Sequence, residues 1–331
     1  MTSEGRNRAG HHGAEMCRRL LLSALAFLCL AGCGNGERQA AVAARIGQID
    51  AARLRAHVES LTSGGPRSPH NLPALRHAER YIESRLASWG YRPRTEIVRT
   101  DAADGAPFVN VVAEHRGSRE PTRFVELGAH YDSVDDSPGA DDNASGVAAV
   151  LEIARVLATA ETPLGVRFCL FTLEEDGRDG SRAHVRSIRE RKDRLEGALV
   201  FEMIGYATDA ADSQATPARI PLLFSPPRTG NFVAVVGNLR SGGLGNRFER
   251  AAELYVPELP LFSANRIGAW FRDALRSDHK PYWDAGYRAI MLTDTADFRN
   301  PNYHQPSDVA DTLDYGFLQG IARATAAVLL Q

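Results

Sequence analysis

The sequence predicts an α/β fold, with a mixed, mostly parallel central β-sheet covered by helices on both faces. Three observations predict it. Short apolar runs alternate through the middle of the chain with segments whose apolar residues recur at helical spacing. Some of those runs, "VRFCLFTL" among them, are apolar at nearly every position, as strands buried on both faces are. Acidic and His-bearing motifs stand just beyond the runs, where open α/β sheets bind their ligands.

The N-terminus stands apart from this pattern. Arg18 and Arg19 precede an apolar run from Leu20 to Leu30, too short to span a bilayer comfortably, and small residues follow. This reads as a secretory signal, with Met16 as an alternative start. "LAGC", Leu30 to Cys33, resembles a bacterial lipobox. That resemblance implies cleavage before Cys33 and lipidation of its thiol. The expected product is an exported bacterial lipoprotein, on the periplasmic or cell-envelope face of a membrane, which it touches through the N-terminal lipid only. Cys17 and Cys29 leave with the signal, and Cys169 lies in a buried run, so no disulfide framework is expected. Residues 34–48 read as a tether and 49–331 as one catalytic domain.

Within that domain, "IDAARLRAHVESL" and "LPALRHAERYIESRLASW" have helical spacing, and Gly90 stops the second. "FVNVVAEH" (108–115) and "RFVELGAHYD" (123–132) read as strands. Residues 147–157 place apolar groups on one helix face. "VRFCLFTLEE" is a buried strand, "SRAHVRSIRERKDRL" a helix, and "GALVFEMIGY", "FVAVVGN" and "YRAIMLTDT" further strands. A helix from about Tyr315 closes the chain. The stretch 206–230, rich in Ala, Asp and Pro, reads as a loop insertion.

With 331 residues, 44% hydrophobic, 24% charged and a formal net charge of −2, the chain is long enough for a sizeable core. It shows no basic stripe and no nucleic-acid module, so a nucleic-acid partner is not expected.

The chemistry-bearing motifs are "AHYD", "LEED", "FEMIGY" and "NPNYHQPSD", with the turn "PGADDNASG" between the first strand and its helix. They contribute His130, Asp132, Asp142, Glu174, Glu175, Glu202 and His304. Two His and several carboxylates without Cys suit zinc or a similar divalent ion. That many anions together without a cation would repel and hold protons. Taken singly, the motifs have plain alternatives: "DDNASG" as a helix cap and "EED" as a solvated strand end. Glu202 resists one, because it interrupts an apolar strand and an unpaired buried carboxylate is costly. His184 and His279 read as satisfied polar residues, and Asp278 as an orienting group.

Six ordered motifs, "HYDS", "PGADDNASG", "LEEDGRDGS", "FEMIGY", "SDHKPYWDAGY" and "RNPNYHQPSDVADTLDY", resemble the co-catalytic di-zinc aminopeptidases of metallopeptidase family 28, over about residues 105–330. Relatives in that family include glutamate carboxypeptidase and the glutaminyl cyclases. The resemblance implies a zinc-exopeptidase (phosphorylase/hydrolase-like) fold, two zinc ions per chain and peptide substrates cut through a metal-bridging water. It implies His130 and Glu202 as ligands of one zinc, Glu175 and His304 of the other, and Asp142 as the bridge. Asp132 would orient His130, Glu174 would be the general base, and Asp141 would belong to the turn. Many family members carry Asp where this chain has Glu202. A glutaminyl-peptide cyclase with one zinc, a carboxypeptidase and a non-catalytic binding lipoprotein are the alternatives. The specificity pocket is expected from the 206–230 loop and residues 257–276, with Arg266, Trp270 and Arg272 as candidate wall residues.

Overall fold

The computed structural model describes residues 36–99, 107–216 and 225–331. The expected signal segment and lipobox lie outside the described residues, as does part of the 206–230 stretch. The chain divides into two compact units, Met1–Ala44 and Arg45–Gln331. In the first, residues 36–44 are helical where a tether was expected, in keeping with their Ala content. The second carries the sheet.

Its strands are β1 (Arg94–Val98), β2 (Phe108–His115), β3 (Glu120–His130), β4 (Leu164–Phe171), β5 (Arg194–Glu202), β6 (Val233–Gly237), β7 (Leu261–Ala264) and β8 (Ala289–Thr293). They lie in the order β1-β2-β4-β3-β5-β8-β6-β7. The pairs β3–β4, β3–β5, β5–β8 and β6–β7 are parallel. The pairs β1–β2, β2–β4 and β6–β8 are antiparallel. The chain leaves β3 toward β4 on one side and later takes up β5 on the other. The crevice beyond the end of β3 is therefore the switch point of the sheet.

The helices are α1 (Ala51–Thr62), α2 (Leu72–Ser88), α3 (Gly146–Leu157), α4 (Asp179–Arg191), α5 (Gly242–Tyr255), α6 (His279–Asp284) and α7 (Tyr315–Leu330). Strand alternation assigns them to faces. Cys169 and Phe171 of β4 cluster with Val185 and Ile188 of α4 and Tyr282 of α6. Phe168, of opposite parity, meets Tyr91, whose hydroxyl donates to Ala154 O of α3 at 2.7 Å. On that second face α3 packs against α1 and α7 as well as β3. Hence α3 is buried at every position but Arg155, where the sequence suggested a single apolar stripe. Asp50 caps α1 by accepting from Arg53 N at 3.0 Å, and Asp314 caps α7 by accepting from Phe317 N at 2.9 Å.

Several strand limits differ from expectation: β5 runs Arg194–Glu202, β8 Ala289–Thr293, and β3 ends at His130. β3 begins earlier, at Glu120, and β4 stops at Phe171 rather than running through the Glu pair. Leu173 takes a left-handed φ of 56°, which ends pairing and turns the chain before Glu174. The short strands β1 and β7 and the helices α5 and α6 lay in segments without a readable period.

Candidate metal centre

His130 is the last residue of β3 and fully buried. Asp142 lies in the turn Ala140–Ser145 ahead of α3, and the backbone at Asp142 and Asn143 is non-helical. Asn143 ties this turn to β5: its Nδ2 donates to Phe201 O at 2.9 Å, and its Oδ1 accepts from Met203 N at 3.2 Å and Gly146 N at 3.1 Å. From the other side, the Asp308 carboxylate accepts from Asp141 N at 2.9 Å and Asp142 N at 3.1 Å. Asp141, read as a turn residue, accepts from Gly205 N at 2.8 Å and Asn300 Nδ2 at 2.7 Å.

The turn held in this way sets Asp142 between two imidazoles. Its Oδ1 is 3.3 Å from His130 Nε2, and its Oδ2 is 3.1 Å from His304 Nε2. Glu202, ending β5, brings Oε2 to 3.5 Å from His130 Nε2, and Glu175 brings Oε2 to 3.3 Å from His304 Nε2. Two groups result, His130–Asp142–Glu202 and Asp142–Glu175–His304, each with its donor atoms within 4.8 Å of one another. His130 Nε2, Asp142 Oδ1, Glu175 Oε1 and His304 Nε2 are buried and make no hydrogen bond. Native proteins rarely leave such atoms unpartnered. Their convergence, and a donor set of imidazole and carboxylate, fit a divalent cation of the zinc type.

Around these groups, Asp132 Oδ1 lies 3.6 Å from His130 Nδ1, while Asp132 Oδ2 accepts from Glu175 N at 3.2 Å. Ser277 Oγ donates to Glu202 Oε2 at 2.5 Å. Glu174 belongs to neither donor group and is 9% exposed, which leaves it free for another task. Asp278 is fully buried, and neither of its oxygens has a hydrogen-bond partner.

The electrostatics show what the protein carries without a cation. Burial raises Glu174 well above the usual carboxylate range, with the charges of Glu202, Asp278 and Glu175 adding to it and His130 opposing. Burial and Asp142 push Glu175 up to about 8, and burial, against His130, lifts Asp278 to about 7. His304 is raised to about 10: burial works against its cationic form, but Asp142 and Glu175 outweigh it. His130 likewise rises well above its ordinary value through Glu202, Asp132 and Asp142, against burial. Asp142 alone falls, because the two imidazoles outweigh its burial. In the metal-free chain protons thus take over part of the neutralisation that a cation would provide.

Beyond the carboxylates the crevice opens into a largely apolar pocket. Ala234 and Val236 of β6, Ala264 of β7, Met291 of β8 and Phe271 are among its walls, and Glu174, Glu175, Glu202 and Asp142 stand at its metal-side end. The 257–276 segment does contribute, through Phe262, Ala264, Gly268, Phe271 and Ala274. Arg266, Trp270 and Arg272 are not among the lining residues; Trp270 is 81% exposed, and Arg266 reaches toward Asn246. In this segment only the fold decides which residues turn inward.

His184 is a satisfied core residue, with Nδ1 at 2.7 Å from Glu96 and Nε2 at 3.3 Å from Glu126. Glu126 in turn accepts from Arg167 Nη1 at 2.6 Å and Tyr282 OH at 2.8 Å. His279 Nε2 meets Ala274 O at 2.8 Å, and burial lowers its pKa to about 4. Asp308 and Asn143 escaped the sequence reading as supports of the turn, although both lie inside motifs it had singled out.

A family model described as Peptidase family M28 matches residues 110–329. The chain belongs to peptidase family M28. It is 38% identical to YfbL of Escherichia coli (strain K12) over 263 residues, covering 76% of this chain and 78% of YfbL. Fungal proteins named "Probable zinc metalloprotease" match at 25–29% identity, and the chain spans 50–67% of their length. In fold it resembles the LapA aminopeptidase of Legionella pneumophila, with a TM-score of 0.68 and 21% identity, covering 87% of this chain and 72% of LapA. A Bacteroides thetaiotaomicron glutaminyl cyclase is as close, with a TM-score of 0.67 and 19% identity over 86% of this chain and 98% of the cyclase. This M28 peptidase therefore has a fold that also carries cyclases, and its own site must decide its chemistry.

Proposed function

We propose that this M28 peptidase is a zinc-dependent aminopeptidase that holds two ions per chain. The observation that carries the reading is Asp142, whose two carboxylate oxygens face two different imidazoles at 3.3 and 3.1 Å. His130 and Glu202 would hold one ion, Glu175 and His304 the other, and Asp142 both. Bound there, zinc supplies Lewis acidity toward a scissile carbonyl and acidifies water at neutral pH.

The chain's own residues perform the rest. Glu174 accepts the proton of the attacking water and delivers it to the leaving amine. Asp132 faces His130 Nδ1 and favours the tautomer that leaves Nε2 free to bind. The surrounding carboxylates attract the free α-ammonium group of a peptide. The apolar pocket takes the first side chain, and a large apolar residue suits it, since each buried methylene is worth about 0.8 kcal/mol. Export as a lipoprotein anchored through Cys33 belongs to the same proposal. It rests on Arg18 to Cys33, and labelled-lipid incorporation into wild type but not Cys33→Ala tests it.

The direct experiment is metal content with turnover of aminoacyl-p-nitroanilides, on protein beginning after Cys33. About two zinc ions per chain with faster release from leucyl or phenylalanyl than from alanyl substrates supports the proposal. One zinc ion with cyclisation of N-terminal Gln, or cleavage of N-acetylated peptides from the C-terminus, would replace it with a cyclase or a carboxypeptidase.

A further inference from the structure

Arg67 lies in the connection between α1 and α2, outside the residues that the family model matches. It is fully buried. Its Nε donates to Tyr131 O at 2.6 Å, its Nη2 to Gly139 O at 2.8 Å, and its Nη1 to Pro138 O. Its backbone joins the same loop: Arg67 N donates to Ser133 Oγ at 2.9 Å, and Ser133 N donates to Arg67 O at 3.2 Å. Every one of these contacts falls within residues 131–139, the loop that runs from His130 to the Asp142 turn.

We infer that Arg67 is a positioning residue of the metal centre, the brace that fixes the spacing of His130 and Asp142. The inference rests on the metal-binding reading proposed above. One planar fork holds both ends of the loop, Tyr131 beside His130 and Gly139 three residues before Asp142. Packing against the fork is close: a Cβ at Gly139 would lie 2.9 Å from Arg67 Nη2 and 2.2 Å from Asp142 O. Gly139 also needs its left-handed φ of 65° to make the turn. Fork geometry matters here because a guanidinium can serve three carbonyls in one plane and an ammonium cannot. Burial lowers the Arg67 pKa to about 10, against the charges of Asp132, Asp308, Asp142 and Glu175, so the group remains cationic at neutral pH. A cation so close also repels a bound metal, and the test must separate charge from geometry.

Arg67→Lys keeps the charge and removes the fork. We expect it to lower zinc affinity about 10- to 100-fold, the usual loss when a partner behind a ligand is removed. Both ions are affected, because both use Asp142. Competition with a chromophoric chelator reads the affinity without turnover, and circular dichroism confirms folding. In Arg67→Ala, millimolar guanidinium should restore part of the affinity by refilling the cavity. Ser133→Ala, which loosens the brace from the other side, should weaken zinc in the same direction. Should Arg67→Lys not fold, Ser133→Ala decides: reduced affinity supports the brace, wild-type affinity overturns it. Two ions bound by a folded Arg67→Lys with wild-type affinity overturns this inference alone. A wild-type chain that binds no divalent ion overturns the metal-centre reading and this inference with it.

Discussion

Glu174→Gln is the substitution that separates metal binding from catalysis. Glu174 sits on the turn after β4, where its carbonyl accepts from Gly177 N at 2.9 Å and Arg178 N at 2.8 Å, and its side chain is buried. Burial raises its pKa well above the usual range, so without metal its charged form is disfavoured. Gln is neutral and of nearly the same shape, so the metal-free variant should match wild-type stability within about 1 kcal/mol. Glu174 is in neither donor group, and zinc content should be unchanged. In the proposed mechanism the proton acceptor is lost, however. A positioned general base contributes about 10²- to 10⁴-fold, equal to about 3–5 kcal/mol of transition-state stabilisation at 1.36 kcal/mol per decade. The assay is kcat and KM for leucyl-p-nitroanilide beside metal analysis. The expected result is kcat lower by two to four decades, with KM within a few-fold and the zinc retained. A kcat within tenfold of wild type, or zinc lost together with activity, would refute the assignment of Glu174 as base.

Four other outcomes follow from the same structure. Glu202→Asp draws the carboxylate back by about 1.5 Å, away from His130 and from the Ser277 hydroxyl; titration should show one ion weakened about tenfold or more and the other little changed. Ala264→Phe fills the apolar pocket, and kcat/KM for phenylalanyl substrates should fall about 10- to 200-fold more than for alanyl ones. Chelation removes the cation from between the carboxylates; at metal concentrations 1,000 times Kd, bound metal adds about 4 kcal/mol, so the melting temperature should fall by about 8–16 °C in calorimetry. His57 is held neutral, its pKa lowered to about 4 by burial first and by Arg85, Arg155 and Arg53 after it. Between its ordinary value of 6.5 and about 4 the unfolded chain binds a proton that the native one does not. Its stabilising contribution is therefore complete above pH 6.5 and falls as pH drops, by about 3 kcal/mol; denaturant melts of wild type and His57→Gln should converge toward pH 4.

Helices α1 and α2, the order of strands and helices from β2 to β6, and again β8 and α7 were legible in the sequence. There the apolar periods are long and uninterrupted, and "FVNVVAEH" coincides with β2 residue for residue. The sequence also marked residues that the fold gathers at one sheet edge, because His130, Asp142, Glu174, Glu175, Glu202 and His304 each stand at or just past a run read as a strand, or in a loop beside one. Tertiary structure decided the rest. β1, with alternate positions exposed, and the four-residue β7 are too short to carry a period, and they are strands because a neighbour supplies the hydrogen bonds. Only the fold turns Phe271 into the pocket while leaving Trp270 in solvent, since side-chain direction in an irregular segment depends on what packs beneath it. Arg67 is the clearest case. Its sequence neighbourhood, "GGPRSPH", carries no apolar period that points to the site, yet the chain brings it under a loop more than sixty residues away. Burial of a guanidinium is favourable only where carbonyls and carboxylates converge to meet it, and that convergence exists in three dimensions alone.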